Sequence, residues 1–349
     1  MVSLIACIYL CVRRGNAFAL EITPPVALRR WAAAFFAVAF LSHIWWLLFQ
    51  VFFSYDIHSI GYWIVVELDC VGLFTTIAGT LLSMLQDRKR PVWPLVVATI
   101  PFPVLLMLHI VNPGSPFRWA GVIYVLFIYA IFSLYMVFAV RQYGRWLRDN
   151  YADLEHKEVW MSHVLVIVLL IMIVSYGMDD GGIIISYVLQ FVTLALYGFL
   201  LWRVETLPQL EVTPVEQRTS QPPTIPTEEI EKQLKVRFVA TQLYLQHDLS
   251  LQQLSQTVGV NRSYLSLYFS SLGTNYNAYI NDLRINHFMR LYSEAAEAGQ
   301  SVSARQLAHD SGYRSYSTFS LAFKQRTGQS VTAWMSDPSN SLSAYDYKK

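Results

Sequence analysis

Hydroxyl, amide and basic side chains cluster in two short stretches near the C-terminal end of the chain. The residues are Asn261, Arg262, Ser263, Tyr264 and Ser266 in the first stretch, and Arg314, Ser315, Tyr316, Ser317, Thr318, Ser320 and Lys324 in the second. Hydroxyl and amide groups hydrogen-bond to base edges, and arginine and lysine pair with phosphates. These residue types therefore predict two contact surfaces for double-stranded DNA.

The elements that would position these side chains repeat one plan, a short amphipathic helix, a glycine turn and a second helix with an apolar face. Gly259 and Gly312 form the turns, and Asn261 and Ser315 stand where N-caps of the second helices belong. The expected inner faces are Leu251, Leu254, Val258, Leu265, Phe269 and Leu272, and then Leu307, Phe319 and Phe323. The pattern predicts helix-turn-helix units at about 251–272 and 303–328; a plain helical bundle whose glycines only end helices is the alternative.

The full arrangement, from Glu228 to Asp337, resembles the DNA-binding domain of AraC/XylS-type bacterial transcription regulators. The most specific part is Gly312-Tyr313-x-Ser315-x-x-x-Phe319-x-x-x-Phe323-Lys324-x-x-x-Gly328, and Tyr279-Ile280-x-x-Leu283-Arg284-Ile285 is similar to the linker-helix motif of that family. The resemblance implies two recognition helices held against successive major-groove faces. A linker helix over 276–298 would be about 34 Å long, which matches the ~34 Å of one DNA turn.

The sequence departs from the family pattern at positions that would contact DNA or follow the second unit. The residues concerned are Leu267 and Leu321 in the middle of the recognition helices, Ser270 and Ser271 where lysines are usual, and Val331 in place of a proline. Base recognition would then depend on hydroxyl groups, tyrosines and DNA shape. Basic residues exceed acidic ones only slightly in this region, so we expect a homodimer, which would double the phosphate contacts.

The first 203 residues have the composition of a membrane domain, in a chain of 349 residues of which 54% are hydrophobic. Six apolar runs have about the 20 residues that cross a bilayer; they are 31–53, 62–85, 92–111, 119–140, 160–178 and 183–202. The apolar segment 2–12 is shorter than a typical span, so the sequence does not decide whether it crosses the membrane. If it does cross, it is a seventh span. Arginine and lysine concentrate in alternate loops, which places the C-terminal domain in the cytoplasm of a bacterium, below its inner membrane.

The expected fold is therefore all-α, a polytopic helical membrane domain (1–203) followed by a soluble double helix-turn-helix domain (228–337). A proline-rich cytoplasmic linker (204–227) joins them, a helix is expected from Glu228 to about Gln246, and the polar tail 338–349 is expected to be disordered.

Four acidic residues could form a sensor pocket in the membrane domain: Glu67, Asp69, Asp179 and Asp180, with Asp56 nearby. Ionisable groups inside a membrane are costly and often functional, so this pocket could bind a cation, an amine or a proton. The alternative is that Glu67 and Asp69 stay hydrated near the headgroups and that 179–182 is only a polar turn.

The leading hypothesis is a membrane-anchored one-component transcription regulator, with double-stranded DNA, the lipid bilayer, a second copy of the chain and an unknown small-molecule or membrane signal as partners. No phosphate-binding loop, dinucleotide fingerprint, hydrolytic triad, HExxH or CxxC pattern is present in the sequence, so we predict no enzyme activity, cofactor or metal site. The alternative is a polytopic receptor or transporter whose C-terminal helical module binds a protein partner.

Overall fold

The computed structural model describes residues 1–13, 22–52, 59–112, 117–164, 167, 183–210 and 227–337. These residues form helices and no β-strand, and an isolated antiparallel bridge joins Tyr151 to Ser250. The chain divides into two compact units. Unit 1 comprises residues 1–143 and 156–214, and unit 2 comprises residues 144–155 and 215–349.

The helices that begin in unit 1 are mostly long and apolar on all sides. They are α1 (Val2–Val12), α2 (Val26–Phe52), α3 (Ile60–Met84), α4 (Trp93–Thr99), α5 (Pro101–Val111), α6 (Phe117–Asn150) and α7 (Ile183–Thr206). Large apolar side chains such as Val51, Met107 and Phe138 are exposed on their outer faces. A helix that is hydrophobic all round is typical of a membrane span or of a large core.

Four stretches among the described residues are long and apolar enough to cross a membrane: Val26–Phe52, Ile60–Met84, Trp93–Val111 and Trp119–Asn150. They correspond to the first four of the six predicted spans. Most of the fifth, 160–178, lies outside the described residues. The sixth coincides with α7, which is helical but is not one of those four. The structure thus supports four spans where the sequence predicted six.

Unit 1 is stabilised by close helix packing and by contacts of a buried carboxylate. A Cβ atom at Gly79 of α3 would lie 2.3 Å from the Trp31 ring of α2, so only glycine permits this approach. The carboxylate of Glu205 is fully buried and accepts a hydrogen bond from the Tyr9 hydroxyl at 3.0 Å, while Arg29 lies 3.9 Å away. These contacts link α1, α2 and α7, so the short first helix is part of the unit.

Unit 2 contains seven α-helices among its residues from 227 to 337. They are α8 (Thr227–Leu234), α9 (Leu251–Val258), α10 (Arg262–Ser271), α11 (Tyr276–Glu297), α12 (Ala304–Asp310), α13 (Tyr316–Thr327) and α14 (Val331–Ser336). The helix predicted from 228 to 246 is shorter than expected. It continues past α8 as a π-helical turn to Val239, and Gln242 then adopts a left-handed conformation with φ of 55°, which ends it.

The central helix α11 supplies both hydrophobic cores of unit 2. Ile280 packs in the first core with the predicted inner residues Leu251, Leu254, Val258, Leu265 and Phe269. The prediction for Leu272 was wrong: α10 ends at Ser271, so Leu272 leaves the inner face and is 53% exposed. Phe288 packs in the second core with Phe319, Phe323 and Trp334. Ile280, Phe288, Phe319 and Phe323 are fully buried. The two helix-turn-helix units are therefore joined through one helix of 22 residues, which is about 33 Å long.

Residues 144–155, here called the inter-span segment, also belong to unit 2. The amide of Ala152 donates to the carbonyl of Leu249 at 2.9 Å. The side-chain amide of Asn277 donates to the carbonyls of Ala152 at 2.7 Å and of Tyr151 at 3.2 Å. From the sequence this segment was predicted to belong to the membrane domain (1–203), because its arginines resemble those of a short cytoplasmic loop; the structure instead includes it in unit 2. The proline-rich part of the linker, 211–226, and the tail 338–349 lie outside the described residues.

Candidate nucleic-acid interface

The first glycine turn has the predicted geometry. Gly259 ends α9 with a φ of 75°, a conformation that favours glycine. The side-chain oxygen of Asn261 accepts a hydrogen bond from the amide of Ser263 at 2.7 Å, which satisfies one free donor at the start of α10. Ser250 and Gln253 form a capping box at the start of α9. Both the turn and the cap predicted from the sequence are confirmed.

The second glycine turn is more tightly packed than the first. Gly312 has a φ of 88°, and a Cβ atom there would lie 2.7 Å from the carbonyl oxygen of Leu245. The carbonyl of Gly312 itself hydrogen-bonds to Nδ1 of His247 at 3.0 Å. The Ser315 hydroxyl caps α13 by accepting from the amide of Thr318 at 3.3 Å. The second turn therefore also holds the second helix-turn-helix unit against Leu245 and His247, which precede the first helix-turn-helix unit in the chain.

The polar residues predicted to face DNA are on the outer faces of α10 and α13. Leu265, Phe269, Phe319 and Phe323 face inward and are fully buried. The exposed positions are Asn261, Ser263 and Ser266, and then Arg314, Ser317 and Lys324; Arg262, Tyr264, Ser315, Tyr316, Thr318 and Ser320 are half-buried. The fold thus brings each predicted set together along one helix, from its N-cap at Asn261 or Ser315 onward, with Lys324 in the last turn of α13.

Two leucines interrupt these polar faces. Leu267 is 62% exposed and Leu321 is 61% exposed. Both lie in the middle of their helices, where the sequence analysis noted the absence of a basic residue. They offer methyl groups that could contact thymine, but they supply neither positive charge nor bidentate hydrogen bonds to guanine.

Several basic residues of this region have protein partners. Arg314 forms an ion pair with Asp248 at 2.5 Å, and Arg326 forms one with Asp282 at 2.8 Å. Arg284 is 1% exposed and donates to the carbonyls of Tyr244 at 2.7 Å and Gln246 at 2.6 Å. Burial lowers the pKa of Arg284. Arg284 therefore stabilises the domain and cannot contact phosphate.

Arg262, the first residue of α10, also has a partner that the sequence did not indicate. Its guanidinium donates to the side-chain oxygen of Asn150, in the inter-span segment. The Thr318 hydroxyl on α13 donates to the Glu155 carboxylate of the same segment at 3.4 Å. Sequence reasoning missed Asn150, Glu155 and Asp248, because polar residues without a repeating pattern give no signal of distant contacts.

The predicted acidic sensor pocket is only partly described. Asp179, Asp180 and Asp56 lie outside the described residues. The carboxylate of Asp69 accepts hydrogen bonds from the indole NH groups of Trp45 at 2.9 Å and Trp46 at 2.5 Å, which satisfies it within unit 1. Asp69 is thus hydrogen-bonded to two tryptophans of α2, whereas Glu67 lines a cleft.

Glu67 borders an apolar cleft between α3, α5 and α6. Its lining residues are Trp63, Val66, Glu67, Cys70, Phe102, Leu105, Leu106, His109, Gly121, Val122 and Val125. Among the described residues, Glu67 Oε2 and His109 Nδ1 are buried atoms without a hydrogen-bond partner. No group of three His, Cys, Asp or Glu residues in the described part of the chain could hold a metal ion.

The geometry of unit 2 defines a class of protein domain. Two N-capped helices with polar outer faces, each preceded by a glycine turn, are joined by one central helix, which is the architecture of a double helix-turn-helix DNA-binding domain. Residues 254–337 match an AraC-type family described as "Helix-turn-helix domain", in agreement with the resemblance noted in the sequence. Neither the curated proteins nor the solved structures include a match to this chain.

Proposed function

We propose that the chain is a membrane-anchored one-component transcription regulator of bacteria, in which unit 2 binds promoter DNA. The observation that supports this most directly is the pair of capped, polar-faced helices on one connecting helix. The described part of the chain also contains four stretches long and apolar enough to cross a membrane. A domain on the cytoplasmic side of the inner membrane could reach the chromosome while the chain stays anchored.

In this proposal, unit 1 is a sensor as well as an anchor. The cleft bordered by Glu67 and His109 supports a sensing role, because an apolar cleft with a few polar groups is the usual form of a small-molecule site. We expect no enzyme activity and no cofactor, and we expect the DNA-bound form to be a homodimer.

The test is selection of random duplexes by the full chain in lipid nanodiscs, at low and at moderate salt. A regulator should enrich a motif with two elements about one helical turn apart, and binding should weaken steeply as salt rises. Substitution of Ser317 or Tyr316 by alanine should change the preferred sequence, whereas Lys324→Ala should weaken binding to all duplexes alike. Absence of any enriched motif would reject the proposal, and an unchanged preference in the Tyr316 and Ser317 variants would reject the placement of α13 in the major groove.

A second function has one observation in its favour. The exposed leucines, Leu267, Leu272 and Leu321, give the two outer helices apolar groups that a protein partner could cover. Such a contact would be far less sensitive to salt than DNA binding. The polar residues around these leucines favour DNA, and the two-salt comparison separates the functions.

A further inference from the structure

The inter-span segment contacts both recognition helices near their first residues. Asn150 accepts a hydrogen bond from Arg262, the first residue of α10, and Glu155 accepts one from Thr318, the third residue of α13. In helix-turn-helix proteins these N-terminal residues approach the bases and the adjacent phosphates. The segment therefore touches the part of each helix that must enter the major groove.

The chemistry of the two contacts opposes DNA binding. Arg262 is the basic side chain at the start of α10, and its guanidinium is directed to Asn150 instead of to a phosphate. The Glu155 carboxylate lies 3.4 Å from the Thr318 hydroxyl, so a phosphate near that hydroxyl would meet a negative charge. Like charges placed together at an interface select against a partner.

Residues 151–153, which lie between Asn150 and Glu155, are held by further contacts within unit 2. Tyr151 pairs with Ser250, Ala152 bonds to Leu249 and packs in the first core, and Asn277 donates to two carbonyls. Tyr151, Ala152 and Asp153 are buried. These backbone hydrogen bonds and buried side chains define one docked position. Residues 150–155 would therefore have to separate from the recognition helices together.

We propose that the inter-span segment is an autoinhibitory element, which occupies the DNA-facing ends of both recognition helices and withdraws when the protein binds DNA. This inference rests on the proposed function. The segment includes the last residues of α6, whose earlier residues belong to unit 1, so a rearrangement of that helix in the membrane would act on it directly. A segment docked in 90% of molecules would weaken the apparent affinity for DNA by about tenfold.

The test measures binding of fluorescent random-sequence duplexes at low salt by the full chain in lipid nanodiscs. The double variant Asn150→Ala with Glu155→Ala removes the contacts with Arg262 and Thr318 and leaves the recognition helices intact. Its dissociation constant should be lower by about threefold to tenfold than that of the unmodified chain. Asp149→Ala is the matched control, because it removes an exposed carboxylate of the same segment, and it should leave the constant unchanged.

A second measurement uses a cross-link. Tyr151→Cys with Ser250→Cys, which replaces the two residues of the antiparallel bridge between the segment and the start of α9, in a chain whose Cys7, Cys11 and Cys70 are replaced by serine, is joined by a short cleavable thiol cross-linker. DNA binding should be lost on cross-linking and return on cleavage.

Equal affinity of the double variant and the unmodified chain, or full DNA binding by the cross-linked protein, would overturn the inference while leaving the proposed function in place. Failure of every form to bind DNA would overturn both.

Discussion

The guanidinium carbon of Arg284 lies 5.5 Å from the centre of the Tyr313 ring. Arg284 belongs to the central helix, and Tyr313 directly follows the glycine of the second turn. The same guanidinium bonds to the carbonyls of Tyr244 and Gln246, which precede the first helix-turn-helix unit. The buried side chain of Arg284 thus holds both the second glycine turn and the residues before α9 against the linker helix α11. It thereby sets the relative position of the two helix-turn-helix units within unit 2.

Arg284→Met should lower the free energy of unfolding of unit 2 by about 3 kcal/mol, because it leaves two buried carbonyls without donors. Arg284→Lys should retain part of this stability, since an ammonium group cannot reproduce the planar fork of the guanidinium. The difference in the free energy of unfolding can be measured by urea unfolding of the full chain in detergent, with cleavage of residues 227–337 by a protease as the readout of unfolding. Arg305→Met, on an exposed side chain of α12, is the control; a loss as large as that of Arg284→Met would refute the assigned role.

Gly312→Ala should destabilise the domain more than Gly259→Ala. Both glycines have positive φ, which costs an alanine about 1 to 2 kcal/mol. At Gly312 the new Cβ would also meet the Leu245 backbone at 2.7 Å, whereas at Gly259 it would meet only the flexible end of Arg237 at 3.3 Å. We expect a loss of about 3 kcal/mol or more for Gly312→Ala. Equal losses in the same proteolysis experiment would contradict this difference.

Leu321→Arg should strengthen binding to all duplexes and increase the salt dependence. One added phosphate contact changes the slope of log K against log salt by about 0.9. Because Leu321 is largely exposed, the substitution should leave stability within about 0.5 kcal/mol. Leu321→Gln, which is polar but uncharged, should not alter the slope. An unchanged slope for Leu321→Arg would mean that this face of α13 does not approach DNA.

The stability of unit 2 should fall as the pH decreases below about 6.5, in part because of His287. Burial, and then the neighbouring Arg290, lower the pKa of His287 from its ordinary value of 6.5. Arg290 donates to Nδ1 at 3.1 Å, so the ring is neutral. Above pH 6.5 neither the folded nor the unfolded chain protonates this histidine; below it, the unfolded chain binds a proton first, and folding becomes less favourable.

His287→Gln should reduce this loss of stability, which urea unfolding at pH 7.5 and pH 5.5 can measure. Because the other histidines are the same in the variant and in the unmodified chain, the difference between the two losses of stability reports on His287 alone. A loss of the same size in both would exclude His287 as its source.

Local features of unit 2 were predictable from the sequence, because each is encoded within a few residues. A glycine followed by a capping side chain, as at Gly259 and Asn261, specifies a turn and the start of a helix. The buried faces were predictable for the same reason, since Leu265 and Phe269, like Phe319 and Phe323, repeat at helical spacing.

Contacts between distant residues could not be predicted in this way. Arg262 was expected to contact DNA, and Arg284 was part of the motif similar to the linker helix. In the structure Arg284 is buried against backbone carbonyls, and Arg262 bonds to Asn150. Burial depends on the tertiary fold, and a charged residue in an amphipathic helix gives no local sign of it. The contact of residues 144–155 with the rest of unit 2 could not be predicted either, because the basic residues in and around this segment resemble those of an ordinary cytoplasmic loop.

The inclusion of residues 144–155 in unit 2 makes that unit discontinuous in sequence, with its second part beginning beyond α7. A single cut in the proline-rich linker would therefore not release the whole unit, because a fragment beginning there lacks Ala152 and the two carbonyls that Asn277 binds. Exchange of DNA-binding specificity between chains of this design, by recombination or in engineered chimeras, would require two matched transfers instead of one.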